Sequence, residues 1–341
     1  MAASDKSRFV EVNITRETKP VSEKGFGLPL MLATSKALDY KVYTDISEVS
    51  EDFAETTKEY KLATRMFGQS PKIRELACYG VSYVAEADDV SALSAALNDL
   101  VTTDNDWFYL VSTANGDAEI KELCNWISTQ EKIYGVTTKN IALSGEIKNL
   151  YENVLLSVHD DEHAYHAEGL IAYGAPQVIG SYVFSHKQVN GVRAAKLSNA
   201  EINTIISNNA TTCISEMGWL INASGKAVGG EYLDVIQADY FLRARLREDI
   251  FQLLATVKKV PYTDAGIAMV VARMDTRFKS AYRQGIIAED DNGDPDYQIT
   301  FPRRKDIPKN TIAQRILPEV NFRIIIAGGV EKVQINGVLA L

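Results

Sequence analysis

The stretch at residues 318–341, P-E-V-N-F-R-I-I-I-A-G-G-V-E-K-V-Q-I-N-G-V-L-A-L, limits what the chain can become more than any other. Val320, Phe322, Ile324 and Ile326 alternate with Asn321, Arg323 and Ile325, the two-residue period of a strand with a buried face. Gly328-Gly329 interrupts the pattern, and Val330, Val333 and Ile335, separated by Lys332 and Gln334, start a second strand. Asn336-Gly337 signals a tight turn before an apolar finish, Val338-Leu339-Ala340-Leu341. Strands need partners. Either the segment is an edge strand of its own domain, or it is a strand given to another molecule. The other end poses the same choice. Val10, Val12 and Ile14 alternate with Glu11, Asn13 and Thr15 after Phe9, and a polar tether at 17–24 separates this short strand from the rest.

Between these arms, strand and helix patterns alternate. Strands are expected at 27–33, 40–44, 73–84, 107–112, 133–136 and 153–158. Helices are expected at 53–67, from the Asp88-Asp89 cap to about 100, at 117–132 and at 145–151. Such alternation predicts a mostly parallel, layered α/β domain. From Ala164 the pattern changes. A small-residue helix at 167–173 stops at Gly174-Ala175-Pro176, a strand is expected at 178–185, and Ser198-Asn199 cap a helix at 200–207. Residues 211–228 read as a hairpin turning at 222–225. The longest helix, at 231–259, carries Val235, Ala238, Leu242, Leu246, Ile250, Leu253 and Val257 as its apolar stripe. Asp239, Arg243, Arg245, Arg247, Glu248 and Asp249 lie on the other side. After Pro261, Thr263-Asp264 cap a second helix with Ile267, Val271, Met274, Phe278 and Ala281 inward, and the two form an antiparallel hairpin. An acidic turn at 290–296, a strand at 297–301 and a basic stretch at 303–315 lead back to Pro318.

At 341 residues the chain has room for two domains, or one with a large insertion, and enough core to need no staples. A hydrophobic share of 46% with 24% charged residues belongs to a globular protein, and a net charge of −9 argues against a general nucleic-acid binder. Cys78, Cys124 and Cys213 lie far apart without a C-x-x-C, as in buried thiols of a reducing compartment. The opening M-A-A-S-D-K-S-R lacks the apolar core of a signal peptide, so the chain is expected in cytoplasm until lysis. Residues 169–185, the longest uncharged run, are broken by Gly174, Pro176 and Gly180 and do not read as a membrane span.

Motifs for catalysis are sparse. His159-Asp160-Asp161-Glu162-His163 matches H-x-x-E-H, with His166 nearby, so a zinc-dependent hydrolase using His159, Glu162 and His163 is the alternative reading. Zinc would need both histidines on one helical face, yet His159 directly follows a strand and Asp160-Asp161 read as caps. Asp290-Asp291-Asn292-Gly293-Asp294 resembles part of a calcium loop, but Pro295 and the missing glutamate favour an acidic turn. The basic patch Arg303-Arg304-Lys305 with Lys309 suits an acidic protein partner better than nucleic acid. P-loop, G-x-G-x-x-G and G-x-S-x-G motifs are absent, so no catalytic or cofactor-binding residue, cofactor or metal is assigned.

From residue 164 on, the order of features resembles the contractile tail sheath subunits of bacteriophages. The pieces are A-E-G-L-I-A-Y-G-A-P, N-G-V at 190–192, L-S-N-A-E-I-N-T-I-I-S-N-N at 197–209 and G-K-A-V-G-G-E-Y-L-D-V at 225–235. The Arg-bearing long helix, Y-R-Q-G-I at 282–286, Y-Q-I at 297–299 and a final strand come after them, and G-L-P-L-M-L-A-T matches the opening strand. The resemblance implies a compact two-domain sheath subunit with no catalysis. An N-terminal arm would span 1–24, an outer α/β domain 25–210, an inner α+β domain 211–330 and a C-terminal arm 331–341. It implies stacked hexameric rings around a tail tube, with baseplate and tail terminator proteins as further partners and no nucleic-acid or membrane contact. The subunit would be held in the virion tail, or in a bacteriocin- or secretion-type particle. Phe9, Val10, Val12, Ile14, Val333, Ile335, Val338 and Leu339 would form strands shared between subunits, and Arg303, Arg304, Lys305 and Lys309 would face the tube.

Overall fold

The computed structural model describes residues 25–85, 88–318 and 320–334. Six strands form one sheet: β1 (Pro29–Ala33), β2 (Leu38–Tyr43), β3 (Leu76–Gly80), β4 (Tyr109–Ser112), β5 (Ile133–Thr138) and β6 (Val154–Val158). Their order is β2-β3-β1-β4-β5-β6, parallel except where β2 runs antiparallel to β3. The pleat sends neighbouring residues into two different cores. Leu30 and Leu32 enter one, and Met31 and Ala33 the other. Leu93, Leu97 and Leu100 of α3 (Ser91–Thr103) and Ile120, Leu123 and Ile127 of α4 (Asp117–Ile127) line the first. Met66 of α2 (Lys58–Phe67) and Leu170 and Ile171 of α6 (His166–Gly174) line the second. The result is the layered α/β arrangement that the alternation predicts.

The second core continues beneath α8 (Leu233–Thr256) and α9 (Asp264–Arg283), joining sheet and helical hairpin through Phe26, Phe108, Phe241 and Phe278. At its centre Tyr182 donates to Gln237 Oε1 at 2.8 Å, and the Gln237 amide donates to the Tyr109 hydroxyl. This buried chain ties β4 to α8 through the 178–185 segment.

Several local expectations are corrected. The helix expected at 53–67 starts only at Lys58, as α2 capped by Thr57, and a separate helix, α1 (Ile46–Asp52) capped by Asp45, precedes it, with Phe53 buried between the two. The helix expected at 145–151 is α5 (Ile141–Glu146), capped by Asn140. Residues 178–185 are not a strand. Ser181 N–H turns back to Val178 O, and Gly180 sits at φ +89° with no room for a Cβ beside Ile286. Ile179, Tyr182 and Phe184 there are buried because they join the core beneath the helical hairpin, while Val178 stays exposed.

The hairpin β7 (Cys213–Glu216) and β8 (Trp219–Asn222) turns at Met217-Gly218, with φ 48° and 85°, rather than at 222–225. Asn222 is a buried strut, accepting from Lys187 N and donating to Phe184 O and Ser224 O. Ser198 caps α7 (Asn199–Ser207) as expected. On α8, Ala238, Leu242 and Leu253 of the expected stripe are buried while Val235, Leu246 and Ile250 are only partly so; Leu233, Ile236 and Phe241 are buried as well, and Arg245, expected on the other side, lies inward over the Phe26 and Phe241 rings.

One buried acid makes this fold pH-sensitive. Glu168 on α6 accepts from Thr137 N at 3.1 Å and Thr137 Oγ1 at 2.5 Å, and burial pushes its carboxyl up to about 7. A carboxyl raised on folding stabilises fully below its unfolded value and loses that contribution as pH rises through its folded value. Glu168→Gln is therefore expected to match the wild type near pH 4.5 and to exceed it at pH 8. The difference should approach about 3 kcal/mol, read as a widening gap in Tm between two buffers. A gap that does not change with pH would exclude this account.

Candidate assembly surface

Beyond the layered body, β9 (Tyr297–Thr300) and β10 (Asn321–Ile324) pair antiparallel as a sheet of two, with Phe322 opposite Ile299 and Ile324 opposite Tyr297. Phe278 of α9 supports both strands, its ring 5.2 Å from Tyr297 and 5.2 Å from Phe322. Tyr297 also donates to Asp275 at 2.7 Å. Farther along, Ile326 bridges Ile287, with Ala288 N–H to Ile325 O at 2.8 Å and Ala327 N–H to Ile286 O at 2.9 Å.

The alternation in 320–326 thus corresponds to a strand, but its apolar face is only partly covered. Phe322 remains 47% exposed, and Ile316 and Phe301 nearby are exposed as well. A sheet of two strands is marginal in water, and among the described residues no further strand pairs with its outer edges. Past Gly328-Gly329 the chain leaves the body, with Val330 81% and Val333 72% exposed. Residues 330–334 join no strand among the described residues. The other arm residues named from the sequence, Phe9, Val10, Val12, Ile14, Ile335, Val338 and Leu339, lie outside the described residues.

Gly328 and Gly329 border a cleft of about 400 Å³ shared with Tyr182, Val183 and Asp234. Burial at the start of α8 lifts the Asp234 carboxyl to about 6, and the charges of Glu331 and Glu231 push in the same direction. The departing segment therefore carries a carboxylate past another that is poorly solvated.

Arg303, Arg304, Lys305 and Lys309 are all exposed, across a 3₁₀ turn (Arg304–Asp306) and α10 (Lys309–Ala313). Ile307 is buried and pins the turn, while Arg304 N–H donates to Asp264 Oδ1 at 2.7 Å and its Nε to Tyr262 O at 2.8 Å. The patch thus sits at the N-terminal end of α9.

The histidine cluster does not converge. His159 is buried; its Nδ1 accepts from Asp161 N at 3.0 Å, which leaves Nε2–H to donate to Arg193 O at 3.1 Å. With both ring nitrogens engaged by backbone, His159 has no lone pair for a metal. Glu162 pairs with Lys139 at 3.4 Å, and His163 lies in a 3₁₀ turn. Among the described residues no group of three or more His, Cys, Asp or Glu side chains could hold a metal ion. Ser157 and His166 do meet, Oγ to Nδ1 at 2.7 Å, but both are fully buried, where no substrate reaches. Among the described residues no helix is long and apolar enough to cross a membrane.

Comparison with known proteins places this arrangement. Residues 233–296, α8 through the acidic turn, match the family model described as E217 tail sheath protein gp31-like, C-terminal domain. No curated protein matches the sequence. Among solved structures, the chain is similar to one from the anti-feeding prophage baseplate at 12% identity. That match has a TM-score of 0.70, covering 97% of this chain and 99% of the other. It is similar to the helical sheath of the same particle in the contracted state at 15% identity, TM-score 0.69, covering 97% and 99%. The sheath complex of PVC, an extracellular contractile injection system, also in the contracted state, matches at 12% identity and TM-score 0.66, covering 99% and 98%.

Proposed function

We propose that this chain, which has the fold of contractile sheath subunits, is a non-catalytic structural subunit that polymerises as stacked hexameric rings around a tail tube. The observation that carries the reading is a two-stranded sheet with open edges, beside a chain end that leaves the body as exposed valines. In this reading residues 331–341 of one copy and 1–24 of another add strands to β9 and β10 of a third. Each backbone hydrogen bond contributes about 0.5–1.5 kcal/mol net, so a shared strand of four residues supplies a few kcal/mol per link. The arms are tethers, so bodies can rotate while links stay paired. The energy of contraction then comes from body–body contacts that differ between two lattices.

Residues 25–210 form the outer domain in this scheme and 211–330 the inner one. Arg303, Arg304, Lys305 and Lys309 face an acidic tube. Baseplate and terminator proteins close the ends, and the subunit waits in host cytoplasm before joining the virion. The match at 233–296 favours a phage tail that drives its tube through the host envelope for genome delivery. Similarity to two injection particles supports a bacteriocin- or secretion-type sheath as the second reading, built on the same physics.

Negative-stain microscopy of the purified protein tests the proposal: long hollow helical tubes are expected, and only single particles at any concentration would refute it. Reversing the charges of Arg303, Arg304, Lys305 and Lys309 to Glu should leave tubes of the sheath itself intact but abolish co-assembly with its tube protein. Unchanged co-assembly would remove those residues from the tube face.

A further inference from the structure

On α9, Arg273, Thr276, Arg277, Ser280 and Arg283 surround a shallow cleft of about 190 Å³ that Asp249 of α8 closes on one side. Arg277 is held in place by Asp249, Nε to Oδ2 at 2.6 Å and Nη2 to Oδ1 at 3.0 Å. Arg273 and Arg283 are exposed, and neither joins an ion pair among the described residues. Two such guanidinium groups flanking two hydroxyls make a receptor for carboxylates.

The same chain carries a matching acidic knob. At the turn after α9, Asp290 Oδ1 accepts from Asn292 N at 2.8 Å and Asp294 N at 2.9 Å, and Gly293 closes the turn at φ +83°. These backbone hydrogen bonds hold the Asp290 carboxyl below its ordinary range. Asp291 and Asp294 stand exposed on this preformed turn, and no ion pair joins it to the cleft within one chain among the described residues. The acidic sequence that resembles a calcium loop is therefore a rigid display of carboxylates.

We propose that the arginine cleft of one copy receives the 290–294 turn of a second copy, in a direct contact between bodies. Receptor and knob are different surfaces, so the contact is head-to-tail and repeats into rings or helices instead of closing as a dimer. The proposal rests on the sheath reading and names the charged component of its body–body energy. Exposed charges are screened over about 8 Å at physiological salt, so the contact weakens as salt rises.

The test uses two full-length variants. One carries Arg273→Glu with Arg283→Glu, and the other Asp291→Arg with Asp294→Arg. Each alone then presents like charges on both surfaces and should self-associate at least about tenfold more weakly by analytical ultracentrifugation. An equimolar mixture restores both contacts, since each variant's intact surface meets its partner's, and the reversed surfaces are complementary too. Recovery in the mixture alone is the expected result. Either variant associating like the wild type overturns the contact, as does a mixture that fails to recover. If inorganic phosphate binds the cleft while turn reversal changes nothing, the cleft is a small-anion site and the contact falls. Mixture-rescued association without tubes keeps the contact and sinks the sheath reading. Tubes from each variant alone do the reverse, and a wild type monomeric at every concentration overturns both.

Discussion

Deleting residues 331–341 leaves a folded subunit that melts close to the wild type yet forms no tubes. The expectation rests on where the described residues stop packing on the body. Ile326 is still bridged to Ile287, and Gly329 still touches Val183, but Val330 and Val333 stand in solvent. Loss of the segment beyond Val330 should strip little buried apolar area from the monomer, so the change in stability should stay within about 0.5 kcal/mol. A lattice held by a donated strand, in contrast, loses that link at every subunit. Because a few kcal/mol per link multiplies along a polymer, the predicted loss of tubes is complete. Normal tubes from the truncated chain would remove the C-terminal arm from the assembly. A large drop in Tm would show that the segment belongs to the chain's own core.

Gln237→Leu is expected to produce the largest loss of monomer stability among single changes of similar volume. Its amide bridges the Tyr109 and Tyr182 hydroxyls, and the tyrosines themselves lie only 3.5 Å apart, oxygen to oxygen. All three are buried, and burial drives both tyrosine hydroxyls above their ordinary titration range. A leucine keeps the packing but leaves the two hydroxyls only each other as partners, so one buried donor goes unsatisfied at a cost of about 1–3 kcal/mol. Thermal and urea unfolding would report a loss of about 1–3 kcal/mol. The variant Gln237→Glu should recover part of it at low pH only, when the carboxyl is protonated and can donate to Tyr109. Equal stability of wild type and Gln237→Leu would mean that α8 is held to the sheet by apolar packing alone.

How much of the fold the residues reveal depends on how local each signal is. The sheet is legible because its strands are short apolar runs separated by well-capped helices, and each signal lies within about ten residues. Ser198 and Thr263 act as the caps that their types suggest, but Asp88-Asp89 do not cap α3: Val90 holds its N-cap position without a side-chain cap, Asp89 accepts from Ser91 N, and Asp88 accepts from Val84 N. The segment at 178–185 misleads because a buried loop and a buried strand are equally apolar, and only the Gly180 backbone separates them. The hairpin turn is displaced from its expected position because Met217-Gly218 is an uncommon turn pair, whereas Asn222 looks like a turn residue and serves as a strut. Tyr109 and Tyr182 are 73 residues apart, and Tyr182 and Gln237 are 55 apart, separations at which no sequence period reports contact. At β10 the alternation is legible but its coverage is not. An apolar stripe reads the same whether its cover comes from this chain or from another, and Phe322 stays half open. The arginines of the cleft are visible as Arg273, Arg277 and Arg283 on one helix, yet spacing alone does not say which of them an acid already holds.

The most direct measurement is a helical reconstruction by electron cryomicroscopy of the assembled protein, at a resolution that traces the chain. The account predicts that density for residues 331–341 crosses from one protomer to another and adds a strand beside β9 and β10. Density that instead folds both chain ends back onto their own body, with no strand passing between protomers, would contradict it.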